Sequence, residues 1–463
     1  MSAPQARSRK ILLINPWIHD FAAHDFFAKP HGLLILGGLL RDHGHEIQLI
    51  DCLDMHHPGI EQHPGYRKIK KQPSGTGKIL NEIIAPPPQL PQIRRAYKRY
   101  GITEAMFMTD LETIGRPDVI LVTSQMTYWY PGVFRAIALC KSIYPDVPVA
   151  LGGIYATLCP EHARRFSGAD LVVSGPAEDY LIDLIERLAE RQAIVDQNSW
   201  RAPSIPPPHE ARPCFELQPQ LDYVSLLTSR GCPFHCHYCA SAKLYPGFYQ
   251  RSIPAVWAEL KFWWERGVRN IAFYDDALFF RREQHIIPIL RGLTEQGHHF
   301  SFHTPNGLDL LSLDASLAKL LFESGFSTLR LSLDLYHQSD TPLHGRPGKV
   351  RAFFQAVEHL FAAGFAAKQL GVYFLVGLPF QEFRLLHDQI GLIRQAGIKI
   401  HLAEYSPIPG TALFAEAQKC SRFDLASDPI FHNNTLIPCQ SPQLSYEQIQ
   451  ELKDWARTVM SQS

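Results

Sequence analysis

Long apolar runs are missing from this chain. The longest, GLLILGGLL from Gly32, falls far short of the ~20 residues needed to cross a bilayer, so no membrane span is expected. Residues 1–9 are polar and a strand-like ILLIN follows at once, which gives no signal-peptide pattern. An excess of charge is missing too. The 45 Lys plus Arg balance the 45 Asp plus Glu, and no DNA-binding motif is visible, so nothing points to nucleic acid. Nine cysteines make an odd count without the spacing of a disulfide framework, and a reducing cytoplasm is the expected setting. Zinc sites favour paired C-x-x-C knuckles and four ligands, and no second knuckle exists here.

What is present is one dense stretch, Leu227 to Tyr249, LTSRGCPFHCHYCASAKLYPGFY. Cys232, Cys236 and Cys239 are spaced C-x-x-x-C-x-x-C, with Tyr238 just before the last. Three thiolates on one short loop can hold three irons of a 4Fe–4S cubane and leave the fourth open. Clusters that serve only electron transfer usually have four cysteines, so three suggest an iron that binds a substrate. A zinc site would need His235 or His237 as its fourth ligand.

The motif, aromatic included, resembles that of the radical S-adenosylmethionine (SAM) superfamily, which implies that the methionine end of SAM chelates the open iron. The surrounding pattern agrees. From Tyr223 onward, six strand candidates alternate with helical pattern: Tyr223–Thr228, Asn270–Tyr274, His299–Thr304, Thr328–Leu333, Gly371–Val376 and Lys399–Glu404. Such βα repetition predicts a parallel, TIM-like partial (β/α)6 barrel over residues 223–411, with the cysteine loop after its first strand. The resemblance implies SAM contacts at the strand ends: Tyr238, Tyr274, Asp275, Asp276, Asn306, Ser332, Asp334, Val376 and Gly377. Tyr274-Asp275-Asp276 departs from the family's glycine-glycine-glutamate segment.

Ahead of the barrel, residues 1–200 alternate short apolar strands (Lys10–Asn15, Glu46–Asp51, Val119–Thr123, Val147–Gly152, Leu171–Ser174) with helical patterns. Nearly all-apolar strands between helices predict an α/β, doubly wound, flavodoxin-like domain whose ligand lies beyond the carboxyl ends of the strands. The order of Pro30 and Gly32, Gly44–Glu46, VPVALGG and GADLVVSGPAE resembles the cobalamin-binding domain of one radical SAM subfamily. That resemblance implies cobalamin contacts at Asn15, Thr123, Ser124, Gly152, Gly153 and Tyr155. Asp54, His56 and Gly59 spell the D-x-H-x-x-G signature of proteins whose histidine ligates cobalt, but they follow the second strand, not the first. The expectation is cobalamin bound without a histidine ligand.

Residues 55–116 read as a basic, solvated insertion, 201–222 as a proline-rich linker, and 412–463 as a helical tail whose amphipathic helix from Ser445 caps the barrel. The two cysteines of the tail, Cys420 and Cys439, read as isolated. The cofactors implied are a 4Fe–4S cluster, SAM and cobalamin. The implied activity is radical methyl transfer to carbon or phosphorus of a small-molecule or biosynthetic-intermediate substrate, with flavodoxin or ferredoxin as electron donor. Three alternatives stand beside it. They are cyclisation or rearrangement without methyl transfer, a methylthiotransferase using Cys52, Cys140 and Cys159, and a non-catalytic cobalamin or redox sensor.

Overall fold

The computed structural model describes residues 7–66, 69–90, 93, 95–192, 211–333 and 348–457. The chain forms two compact units, Met1–Asp222 with Asp428–Ile430, and Tyr223–Ser427 with Phe431–Ser463.

The first unit is built on strands β1 (Lys10–Asn15), β2 (Glu46–Asp51), β3 (Val119–Val122), β4 (Val149–Leu151) and β5 (Leu171–Val172). All pair in parallel, in the order β2-β1-β3-β4-β5. Ile11–Ile14, Val119–Val122 and Val149–Leu151 are buried, as strands covered on two faces require. Right-handed crossovers in this order put helices on opposite faces. Helix His31–Asp42 accordingly packs with Leu181–Ala189, and Glu104–Ile114 with Tyr130–Ile143. The strand order reverses between β1 and β3, where a doubly wound sheet opens its crevice.

The expected insertion 55–116 needs correcting at its far end. Glu104–Ile114 is the crossover helix between β2 and β3, with Phe107 and Leu111 fully buried. Thr103 caps it by accepting from the Met106 N–H at 3.2 Å. Just before it, Lys98–Tyr100 pairs antiparallel with both Ile18–Asp20 and Asn81–Ile83, forming a small three-stranded sheet. Arg99 bridges Glu82 at 2.5 Å and also pairs with Glu104. Arg99 is thus neutralised locally.

The second unit carries β6 (Val224–Leu226), β7 (Asn270–Phe273), β8 (Ser301–His303), β9 (Phe326–Ser332), β10 (Leu370–Val376) and β11 (Lys399–Glu404). They pair in parallel in sequence order, and β6 and β11 remain edges, so the barrel is open. Five helices join consecutive strands: Ile253–Glu265, Ile286–Glu295, Ala315–Glu323, Lys349–Ala363 and Phe383–Arg394. The tail helix Tyr446–Arg457 lies beside the edge strand β11 and against helix Phe383–Arg394. There Trp455 stacks on His387 with ring centroids 3.9 Å apart, and Lys453 pairs with Glu404. Among the described residues no helix is long and apolar enough to cross a membrane.

Candidate active site

The cysteine loop leaves β6 at the carboxyl end of the sheet. Its base is a two-stranded antiparallel ribbon, Ser229–Gly231 against Phe248–Gln250. Gly231 sits at φ +71°, and a Cβ there would lie 2.1 Å from the Gly247 carbonyl oxygen, so no other residue fits. Asp275, just past β7, clamps the loop's start. Its buried carboxylate accepts from the Thr228 N–H at 3.1 Å, the Thr228 hydroxyl at 2.7 Å and the Ser229 hydroxyl at 2.5 Å. Arg251 closes the other end, donating to the Leu227 carbonyl at 2.9 Å and to Glu259 at 2.7 Å.

Within the loop, Cys232 and Cys236 are half-buried and Cys239 is exposed. Burial pushes the Cys232 thiol up to about 12. The Ser241 N–H donates to Cys239 Sγ at 3.4 Å, and the Cys239 N–H donates to the Cys236 carbonyl at 3.0 Å. Among the described residues no group of three or more His, Cys, Asp or Glu converges on a single metal ion. Three thiols spaced along one loop suit a cluster, in which each would meet its own iron. Among the described residues no second triad is found either. Cys52 and Cys140 are buried in the first unit, and burial lifts their thiols, Cys140 to about 12.

The residues expected around SAM divide by access. Asp276 is exposed, next to the cysteine loop. Asn306 is half-buried and donates its amide to the Tyr274 and Asp275 carbonyls at 2.8 and 3.4 Å, which leaves its side-chain oxygen available. Tyr274 and Ser332 are half-buried at the ends of β7 and β9. Gly377 begins the turn after β10, which Gln381 closes by bonding the Leu378 N–H at 2.9 Å and the Leu375 carbonyl at 3.2 Å. Three of the expected residues make other contacts. Asp275 spends its carboxylate on Thr228 and Ser229 and is buried, so it positions the loop. Tyr238 packs into an apolar cluster with Leu378, Tyr405, Leu413, Leu425 and Cys439, so its ring anchors the loop. The Val376 side chain is fully buried, leaving only backbone at the surface. Asp334 lies outside the described residues.

At the first sheet's carboxyl edge, Ser124 joins two strand ends. Its hydroxyl donates to the Gly152 carbonyl at 2.6 Å and accepts from the Ala156 N–H at 3.2 Å. Gly153, at φ +92°, would put a Cβ 2.3 Å from the Ser124 carbonyl oxygen. Thr123 and Gly152 are half-buried, while Gly153 is exposed, with exposed apolar Met126 and Ile154 close in sequence. Bare backbone flanked by exposed apolar side chains fits a large flat macrocycle. Asn15 and Tyr155 are corrected. The Asn15 amide donates to buried Asp51 at 2.6 Å, which also accepts from Gln218 at 2.6 Å. Tyr155 is wholly buried, its hydroxyl 2.7 Å from His162 Nδ1. Both support the rim from beneath. His56 is also committed, its Nε2 lying 2.7 Å from Asp222 and 2.9 Å from Lys71 Nζ.

Sequence reasoning missed the Asp275 clamp, the Arg251–Glu259 pair and the apolar rim residues Met126 and Ile154. The only signal for the clamp was a carboxylate at a strand end where the resemblance expects glycine.

Comparison with known proteins gives the same two parts. Residues 226–388 match the Radical SAM superfamily, and residues 105–185 match the B12 binding domain. An uncharacterized methyltransferase of Pyrococcus horikoshii is 24% identical, over 68% of this chain and 73% of its own. Cytidylyl-2-hydroxyethylphosphonate methyltransferase of Streptomyces wedmorensis is 22% identical, over 69% of this chain and 64% of its own. The fold is shared with the radical S-adenosylmethionine methyltransferase TsrM of Kitasatospora setae, solved with tryptophan substrate and a SAM analog. The TM-score is 0.65 over 89% of this chain and 76% of that one, at 15% identity. The two domains call for a 4Fe–4S cluster, SAM and cobalamin, and the thiol loop and the glycine-lined sheet edge fit them. The chain thus carries a radical SAM domain and a B12-binding domain in one polypeptide, the pairing found in cobalamin-binding radical SAM enzymes.

Proposed function

We propose that this chain is a methyltransferase that places a methyl group, carried by cobalamin, on an unactivated carbon or phosphorus centre of a small molecule. The observation that carries the reading is the set of three accessible thiols on a clamped loop at the first strand of an open barrel, in a chain that also has a B12-binding domain. The relatives named methyltransferase support it. When bound, the cluster and SAM supply a radical that takes hydrogen from an unactivated C–H bond, and cobalamin supplies a methyl carrier.

The chain's own residues hold and orient these groups. Cys232, Cys236 and Cys239 would hold the cluster as thiolates, and burial, which favours the protonated Cys232 thiol, is what the metal would have to overcome. Asp276 offers a carboxylate to the α-ammonium of SAM, and the Asn306 side-chain oxygen offers an acceptor near the same strand ends. Thr123, Gly152 and Gly153 would receive the macrocycle. His56 is held by Asp222 and Lys71 and so is committed elsewhere. The electron comes from a low-potential donor such as flavodoxin or ferredoxin, in a reducing cytoplasm.

The test is anaerobic reconstitution with iron, sulfide and hydroxocobalamin, then SAM and a strong reductant, with products read by mass spectrometry. Iron near four per chain, bound corrinoid, new 5′-deoxyadenosine and S-adenosylhomocysteine are expected, with Cys236→Ala losing cluster and cleavage together. Deoxyadenosine without S-adenosylhomocysteine would select cyclisation or rearrangement. Corrinoid binding without SAM binding would select a sensor.

A further inference from the structure

The inner face of the barrel carries positive charge and no carboxylate to meet it. Alternation along the strands sets Arg330 and Ser332 of β9, Gly371 and Tyr373 of β10, and Lys399 and His401 of β11 on one side. The register lays Arg330 beside Gly371 and Gly371 beside Lys399, with Ser332, Tyr373 and His401 in the next row. The alternate residues Leu329, Leu331, Val372 and Phe374 are wholly buried. Arg330, Tyr373 and His401 are half-buried and Lys399 is exposed, so this set faces the hollow of the open barrel. No residue of this face in β9, β10 or β11 is acidic. Arg330 Nη1 donates to the Leu329 and Gln369 main-chain carbonyls at 3.1 and 3.5 Å. Among the described residues neither Arg330 nor Lys399 pairs with a carboxylate, and burial lowers both from their ordinary values. His401 Nε2 is buried without a hydrogen-bond partner. Gly371 lets these groups share one space. A Cβ there would lie 2.9 Å from His401 Nε2 and 3.3 Å from Arg330 Cδ. Burial, with Arg330 and Lys399 nearby, lowers His401 to about 4, and the neutral ring keeps one N–H to donate. A guanidinium without a counterion and a buried ring nitrogen without a partner each cost stability. An oxyanion between them satisfies both.

We propose, resting on the methyltransferase reading above, that this face seats an acid group of the substrate. The methyl acceptor is then an anionic small molecule bearing a carboxylate or a phosphate. Arg330 supplies the charge, His401 an N–H from Nε2, and Lys399 a second cation at the open side. The rest of the molecule runs up the hollow toward the strand ends where SAM is expected. The carboxylate of SAM is the competing oxyanion, and position separates the two. Arg330 lies two residues, ~7 Å, further from the carboxyl end of β9 than Ser332. Gly371 stands six residues, about 20 Å of strand, before the Gly377 turn.

The experiment titrates the full chain, reconstituted with cluster and cobalamin, with inorganic phosphate and with acetate by calorimetry. Sodium chloride holds the ionic strength constant. At least one of the two anions should bind the wild type beyond the chloride baseline and raise its unfolding midpoint. Arg330→Gln should weaken that binding about 30-fold or more, the loss seen when one partner of a buried charge pair is truncated. Arg330→Lys, which keeps the charge without the planar fork, should fall between. Gly371→Ala should weaken binding too, by filling the space between the two side chains. Without anion, Arg330→Gln should unfold no more easily than the wild type, because it removes a charge that lacks a counterion. The proposal is overturned if neither anion binds above chloride, or if Arg330→Gln binds as tightly as wild type or is destabilised when empty. Loss of SAM binding in step with the anion would also overturn it, giving Arg330 to the carboxylate of SAM. Deoxyadenosine formed without any anion binding sinks this site and leaves the methyltransferase reading standing. Anion binding in a chain that cannot cleave SAM does the reverse.

Discussion

The residue with most leverage over the site touches no cofactor. Asp275 gathers one N–H and two hydroxyls in a buried setting, and truncation leaves all three without their acceptor. Each buried polar group so stranded costs about 1–3 kcal/mol, concentrated where the cysteine loop begins. Asp275→Ala should therefore lower the iron retained after reconstitution and make cluster loss faster, whereas Asp275→Asn, which keeps one good acceptor, should fall between. Iron and sulfide per chain measure it, and unchanged values in the alanine variant would remove the clamp from the account. His303 offers a second residue-scale test. Its Nδ1 lies 2.9 Å from the Thr328 hydroxyl, and its Nε2 donates to the Asn270 side-chain oxygen at 3.2 Å. Burial, with Arg330 nearby, lowers it from 6.5 to about 4. The unfolded chain then binds more protons than the folded one between those values, and stability falls as pH drops through that window, by at most about 1.4 kcal/mol per pH unit. Denaturant unfolding at pH 7 and pH 5 should show the loss, and His303→Gln should reduce it, the remainder coming from other histidines such as His19 and His401, which burial also lowers to about 4.

At the scale of elements, the ribbon that closes the cysteine loop depends on an ion pair buried on both sides. The side chains of Arg251 and Glu259 are 7% and 2% exposed at an N–O separation of 2.7 Å. Removing one partner strands the other's charge, so Glu259→Ala should destabilise the chain by about 3–5 kcal/mol, read by chemical denaturation, and should loosen the loop as well. A change under 1 kcal/mol would mean that water reaches the pair. Elements were also what the sequence revealed best. β1, β2 and β11 occupy the ranges that their apolar patterns mark, because a strand's pattern is written in consecutive residues. The helix Glu104–Ile114 was hidden. Its buried Phe107 and Leu111 are only two positions on a helix, and they follow a basic run rich in proline and glycine that reads as solvated excursion. The cysteine triad was legible for the same local reason as the strands. The roles of Asp275, Tyr155 and Tyr238 were not, since each is set by what the fold lays beside it.

For the whole molecule, the barrel's sequence order is its spatial order, and that is why six βα repeats could be read off directly. The first sheet is different, because its strands interleave and the reversal between β1 and β3 leaves no mark in any single stretch. One further feature concerns time. Asp428, inside the tail, belongs to the first unit, where its carboxylate accepts the buried hydroxyl of Tyr130 at 3.0 Å. The two are 298 positions apart. At the pace of a ribosome, about 5–20 residues per second, that separation lasts about 15–60 s, during which Tyr130 has emerged and its acceptor has not been made. The first unit is thus completed by a residue made after every strand of the barrel. A stalled or shortened chain would carry an unfinished first unit even with every residue of its sheet in place.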